Sequence, residues 1–274
     1  MGKRILVAIV GVPLIFLALF GTPAWVLPGV ISVLSMVAVH EVIWSTGFVK
    51  HPRISGYALV LAGLIPIWAF MGEHKLPILC ALLIYVVLLF GEAMASHYTV
   101  TMEKMGGSFF LSIMIPYFLS SFVRIRRMPD WNLYIVLPFV VAFTSDAFAL
   151  FGGMLFGRRK LAPELSPKKT VEGAVSGLLG SIVSTLIYGV IIHLVFQTEV
   201  CYPILVVYAG LGAVLSQFGD LAFSYIKRQY GIKDYGNIFP GHGGVLDRFD
   251  SVIFCAPFLE LLITWLPAIG GVYR

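Results

Sequence analysis

Long apolar stretches recur almost without pause, at about residues 5–25, 26–45, 54–72, 76–93, 108–125, 131–157, 170–196, 200–228 and 244–266. An α-helix rises about 1.5 Å per residue, so about 20 residues cross the roughly 30 Å hydrocarbon layer of a bilayer. Inside lipid the backbone must satisfy its own hydrogen bonds, which leaves helices or a closed barrel. The period-two alternation of a barrel strand is absent. The expected fold is therefore all-α: a polytopic integral membrane protein of about nine transmembrane helices. With 59% hydrophobic and 12% charged residues, the composition excludes an ordinary soluble domain. The basic start KRILVAIV opens a run too long for a secretory signal and without a clear cleavage site, so it reads as the first span. Pro23, Pro28 and Gly29 break the chain before the second span, with one long kinked helix as the competing reading.

Nine spans place the N-terminus and every even-numbered loop on one side. That side carries fourteen of the 19 Lys and Arg residues, against five on the other. Basic loops stay in the cytoplasm, so the N-terminus and the loop from Asp220 to Asp250 are expected there. The loop RIRRMPD at 124–130 is the local exception. The net charge of +5 then reads as topology and attraction to anionic lipid or phosphate, not as nucleic-acid binding. Cys80, Cys201 and Cys255 lack motif spacing and read as small apolar side chains. Polar residues crowd the cytoplasmic helix ends only from about residue 140 onward. The chain thus divides into an N-terminal region, 1–130 (spans 1–5), and a C-terminal catalytic region, 131–274 (spans 6–9).

The densest charge lies in DLAFSYIKRQYGIKDYGNIFPGHGGVLDRFD, residues 220–250. One ionised group at the bilayer centre costs about 2.5–3.5 kcal/mol even on lenient scales, so these groups must pair, bind ions or face water. Asp220, Ser224, Lys227 and Arg228 share one helical face, and Asp247 and Asp250 share another one turn apart. Between them, the FPGHGG turn feeds a helix N-terminus, which can seat phosphate oxygens. The reading is of carboxylates for a hard divalent cation, amides for phosphate, and basic residues around both.

Two further elements belong with it. In SPKKT, Ser166, Lys168, Lys169 and Thr170 precede a span, with Thr170 as its N-cap and both lysines beside a phosphate ligand. Asp146 lies about 22 Å into its span counted from Trp131, at a depth similar to Asp220, and either holds a cation or pairs with a loop lysine. Glu41 and Glu92 read as helix–helix hydrogen-bond partners or interfacial residues. The Gly173–Gly177 spacing reads as close helix packing.

The run Ser224-x-x-Lys227-Arg228, then Lys233-Asp234, then PGHGG-x-x-Asp247-Arg248-x-Asp250 closely resembles the signature of the phosphatidate cytidylyltransferase (CDP-diacylglycerol synthase) family. SPKKT-x-E-G and Asp146 are similar to that family's pattern as well. The resemblance implies transfer of CMP from CTP to phosphatidic acid, giving CDP-diacylglycerol and pyrophosphate in phospholipid biosynthesis. It also implies Mg²⁺ as cofactor, with a second cation as an open expectation, and a bacterial-type inner membrane.

On this reading Asp220 and Asp247 are the leading cation ligands, with Asp146 and Asp250 in support. Lys227, Arg228, Lys233 and Arg248 meet phosphates or the leaving group. Lys168 and Lys169 close over the triphosphate, while His242, Gly243 and Gly244 shape its seat with Ser166, Thr170 and Ser224. Small-residue faces are compatible with a homodimer. The competing readings are another CTP-using membrane transferase, such as a polyprenol kinase, and an ion-coupled transporter. The transporter is disfavoured by the absence of visible inverted repeats and by charge gathered at one end of the helices.

Overall fold

A computed structural model describes residues 11, 13–47, 51–72, 75–97, 99–238 and 243–270. A π-helical turn, Leu17–Gly21, leads into α1 (Val26–Ser45), α2 (Pro52–Met71), α3 (Lys75–Ala95), α4 (Met102–Leu119) and the short α5 (Ser121–Arg126). After α6 (Trp131–Tyr134) and α7 (Leu137–Phe156) come β1 (Lys160–Ala162) and β2 (Ser166–Thr170). The chain closes with α8 (Val171–Phe196), α9 (Tyr202–Gln229) and α10 (Leu246–Trp265).

Seven helical segments among the described residues are long and apolar enough to cross a bilayer: Val26–Ser45, Pro52–Met71, Lys75–Ala95, Met102–Arg126, Trp131–Phe156, Val171–Phe196 and Tyr202–Gln229. The protein is a polytopic membrane protein. The eighth long helix, α10, matches its expected span in length but opens with Asp247, Arg248 and Asp250, which lowers its apolar character. Residues 5–10 and 12 of the expected first span lie outside the described residues. The chain leaves helical geometry at Thr22, whose extended backbone separates the π-helical turn from α1. The antiparallel hairpin of β1 and β2 departs from an all-helical reading, pairing Lys160 with Thr170 and Ala162 with Ser166.

Close packing groups the chain into two units, residues 1–124 with 229–248 and residues 125–228 with 249–274. The sequence reading divides the chain once, at 130, whereas close packing divides it after 124, 228 and 248. In the first unit α1 packs against α2, and Ala38, Val39, Val42, Ile54, Ala58 and Ala62 on these helices are inaccessible to solvent or nearly so. Some buried polar groups of this unit are paired, Ser32 Oγ donating to the Gly63 carbonyl at 2.6 Å and Tyr85 Oη lying 2.9 Å from Ser112 Oγ, whereas the buried Ser35 and Ser55 hydroxyls have no partner among the described residues. In lipid such bonds, together with close packing, do the work that water expulsion does in soluble proteins.

In the second unit α7 lies against α8 along a stripe of glycines. A Cβ on Gly173 would fall 2.7 Å from the Ala149 carbonyl oxygen, and one on Gly177 2.7 Å from that of Ser145. The Gly173–Gly177 spacing is therefore close helix packing, as the sequence suggests. Gln217 of α9 completes the joint, donating from Nε2 to Ser145 Oγ and to the Ala174 carbonyl, both at 3.1 Å. Gly177→Ala is expected to force α7 and α8 apart at a backbone atom that cannot rotate away. A loss of about 1–3 kcal/mol should be read as a lowered thermal midpoint of the purified protein in detergent.

Candidate functional site

Three acidic residues of the second unit come from three different helices. Asp146 stands on α7, Asp220 on α9 and Asp250 on α10, and each lies within electrostatic reach of the others. Like charges that close are mutually unfavourable in a low-dielectric surround. The protein answers them with cations and donors. Lys169 Nζ sits 2.5 Å from Asp220 Oδ2, with both side chains about one-quarter exposed. Ser224 Oγ donates to Asp220 Oδ1 at 3.3 Å, one helical turn along α9. Lys227 is buried at 9% exposure and lies within reach of Asp250.

Ser251 ties two of the carboxylates together. Its hydroxyl donates to Asp146 Oδ2 at 2.8 Å, and its backbone N–H donates to Asp250 Oδ1 at 2.8 Å. The sequence reading missed this residue. Its position directly after Asp250 was the available signal, since a hydroxyl beside buried carboxylates is an obvious donor.

The hairpin explains how the SPKKT lysines divide. Successive residues of a strand face opposite ways. Lys169 turns inward to Asp220, whereas Lys168 next to it is exposed. Thr170 closes β2 and caps α8 as expected, its Oγ1 accepting from the Gly173 N–H at 3.1 Å. Glu172 in the first turn of α8 holds the preceding segment, accepting the backbone N–H groups of Arg158 and Arg159 at 2.9 and 3.1 Å. Arg228 Nε donates to the Leu165 carbonyl at 3.2 Å, so the end of α9 grips the tip of the hairpin. Ser166 is half-buried at the start of β2.

The first unit holds the other part of the motif. Asp247 Oδ2 accepts the N–H groups of Tyr235 at 2.8 Å and Gly244 at 2.9 Å. Glu41 of α1 accepts the next two, Val245 N–H on Oε1 at 2.9 Å and Leu246 N–H on Oε2 at 2.8 Å. A helix start leaves several amides without partners, and here carboxylates of the protein take them. This corrects one expectation: the Gly244 amide and its two successors are engaged within the protein and are not held open for phosphate. The glycines serve close approach instead. Gly243 has φ +82°, and a Cβ on it would fall 2.7 Å from Asp247 Oδ2. Lys233 and Arg248 are exposed, and His242 lies outside the described residues.

The pattern of the cytidylyltransferase family matches residues 2–266. This chain is a member of the cytidylyltransferase family. Among its relatives, the phosphatidate cytidylyltransferase of Bacillus subtilis (strain 168) is 38% identical over 215 residues, covering 74% of this chain and 77% of the relative. The protein of the same name from Rickettsia conorii (strain ATCC VR-613 / Malish 7) is 36% identical over 218 residues, covering 77% and 92%. That from Rickettsia prowazekii (strain Madrid E) is 35% identical over 209 residues, covering 73% and 89%.

For this cytidylyltransferase-family chain, the donor chemistry around Asp220 fits a hard divalent ion. The Lys169 ammonium already sits against Asp220 Oδ2, so the position accepts positive charge. Among the described residues no three His, Cys, Asp or Glu side chains form a ready ligand cage. Mg²⁺ characteristically uses one or two carboxylates and completes its shell with water and substrate phosphate, so a full protein cage is not required. Ser251→Ala removes the donor to Asp146 while leaving the backbone bond to Asp250. The unmet buried acceptor should cost about 1–3 kcal/mol, measured as a lowered thermal midpoint, with a parallel fall in turnover.

Proposed function

We propose that this protein transfers CMP from CTP to phosphatidic acid, forming CDP-diacylglycerol and pyrophosphate for phospholipid synthesis. A phosphate oxygen of phosphatidate forms a bond to the α-phosphorus of CTP. The bond from that phosphorus to the bridging oxygen breaks, and the electron pair leaves with pyrophosphate. Supporting the reading most directly is the array of Asp146, Asp220 and Asp250 with Lys169 and Lys227 in a chain of this family.

Both reactants are anions, so the protein must chiefly offset repulsion and hold geometry. Lys169 lies against Asp220 and Lys227 within reach of Asp250. They neutralise phosphate oxygens once the nucleotide draws them from Asp220 and Asp250. Arg228, Lys233, Arg248 and Lys168 meet the triphosphate and the departing pyrophosphate from the water side. Ser166, Thr170, Ser224, His242, Gly243 and Gly244 shape the substrate seat. Asp220, Asp146 and Asp247 are the carboxylates that would hold Mg²⁺, with Asp250 in support and a second cation as an extension. Mg²⁺ when bound supplies positive charge to the phosphate oxygens. Phosphatidate is already ionised near neutral pH, so no dedicated general base is assigned.

The charge bias of the loops supports a cytoplasmic N-terminus and reaction site in a bacterial inner membrane. Faces of small residues support a homodimer.

The test is incubation of the purified protein in detergent with CTP, Mg²⁺ and phosphatidic acid, using CTP labelled at the α- or γ-phosphorus. Label from the α position is expected in the lipid product and label from the γ position in pyrophosphate. Transfer of γ-label to lipid would mean a kinase and end the proposal. Asp220→Asn and Asp247→Asn are each expected to lower turnover by at least about 100-fold, since a misplaced or missing charge at the reacting centre costs on that order. Unchanged elution on size exclusion would show that the variants remain folded.

A further inference from the structure

Glu41 lies on α1, some two hundred residues from the motif it serves. It is 4% exposed, and both its oxygens are spent on one object, the start of α10. The same segment is tied to α1 a second time, because Ser45 Oγ donates to the Tyr235 carbonyl. Tyr235 is itself fully buried, and its N–H goes to Asp247 Oδ2. Two residues one helical turn apart on α1 thus hold Tyr235 on one hand and the start of α10 on the other.

The backbone is cleared to let the carboxylate in. A Cβ on Gly236 would fall 2.6 Å from Glu41 Oε1, and one on Gly244 would collide with the same carboxylate. A buried carboxylate accepting two aligned amides at a positive helix end is held in place on every side. Glu92, the other buried acid of this unit, behaves differently. Among the described residues it pairs with Arg53 and His51, at 3.4 and 3.3 Å.

We infer that Glu41 is a positioning residue for the transfer reaction: by gripping the Val245 and Leu246 amides it fixes where α10 begins, and so where Asp247 and Arg248 are presented. The inference rests on the catalytic reading of Asp247. Glu41 itself touches no substrate. Glu41→Gln keeps the size of the side chain but turns an amide NH₂ toward one of the two backbone donors, so one of the bonds is lost.

The experiment compares Glu41→Gln, Gly236→Ala and the control Glu92→Gln in detergent, well below the thermal midpoint of each. Glu41→Gln is expected to lower kcat by roughly 10- to 100-fold, as a displacement of about 1 Å at the reacting groups does, with KM for CTP changed far less. Peptides spanning 235–248 should exchange amide hydrogen faster, while those from α7 and α8 do not change. Gly236→Ala, which pushes a methyl against the same carboxylate, should reproduce both effects. Glu92→Gln should keep kcat within about twofold, as expected for a charge remote from the reacting groups.

A Glu41→Gln protein with a lowered midpoint but near-normal kcat would make the residue merely structural and overturn the inference. So would a kcat loss without faster exchange at 235–248. If Glu41→Gln fails to fold, Gly236→Ala alone decides the matter by the same two readouts. Near-normal turnover of Asp247→Asn would instead remove the catalytic reading of Asp247. An inactive Asp247→Asn beside a fully active Glu41→Gln would remove only the present inference.

Discussion

A carboxylate among membrane helices must be met by a cation or by hydrogen-bond donors, because leaving it bare costs several kcal/mol. Asp146, Asp220 and Asp247 obey that constraint. Asp220 has Lys169 and Ser224, Asp146 has Ser251, and Asp247 has two backbone amides. Glu41 has two amides of its own. The local folds around them, a hairpin, a helix start and a glycine-cleared loop, are the forms that bring such partners in.

The two ways of meeting the charge have different consequences. Backbone amides are fixed donors, and a carboxylate bound to them becomes part of the scaffold. A lysine on a flexible stem can leave when a better anion arrives. Asp247 and Glu41 are held largely by amides, which suits residues that set position. Asp220 is held by Lys169, which suits a group that exchanges partners with a charged substrate. The same chemistry that makes these acids tolerable in the membrane thus sorts them into fixed and exchangeable members.

Glycine serves this arrangement by absence. Between α7 and α8 the missing side chains let two helices touch, and at Gly236 and Gly244 they let a carboxylate reach the backbone. These are different uses of the same property. The first could be anticipated from a Gly-x-x-x-Gly spacing within one span, since both residues fall on one helical face. The second involves Glu41, about two hundred positions away, and no local pattern announces it.

Much was legible in the chain itself. Runs of apolar residues follow from the thickness of lipid, so the long helices fall close to where the hydropathy places them. Thr170 as a cap follows from residue type and spacing. Tertiary structure alone decided the partners: Lys169 and not Lys168 for Asp220, Ser251 for Asp146, and Glu41 for the start of α10. The physical reason is range. Periodicity and capping act within a few residues along the chain, whereas a buried charge takes its partner from whichever helix is beside it, and that neighbour is set by packing.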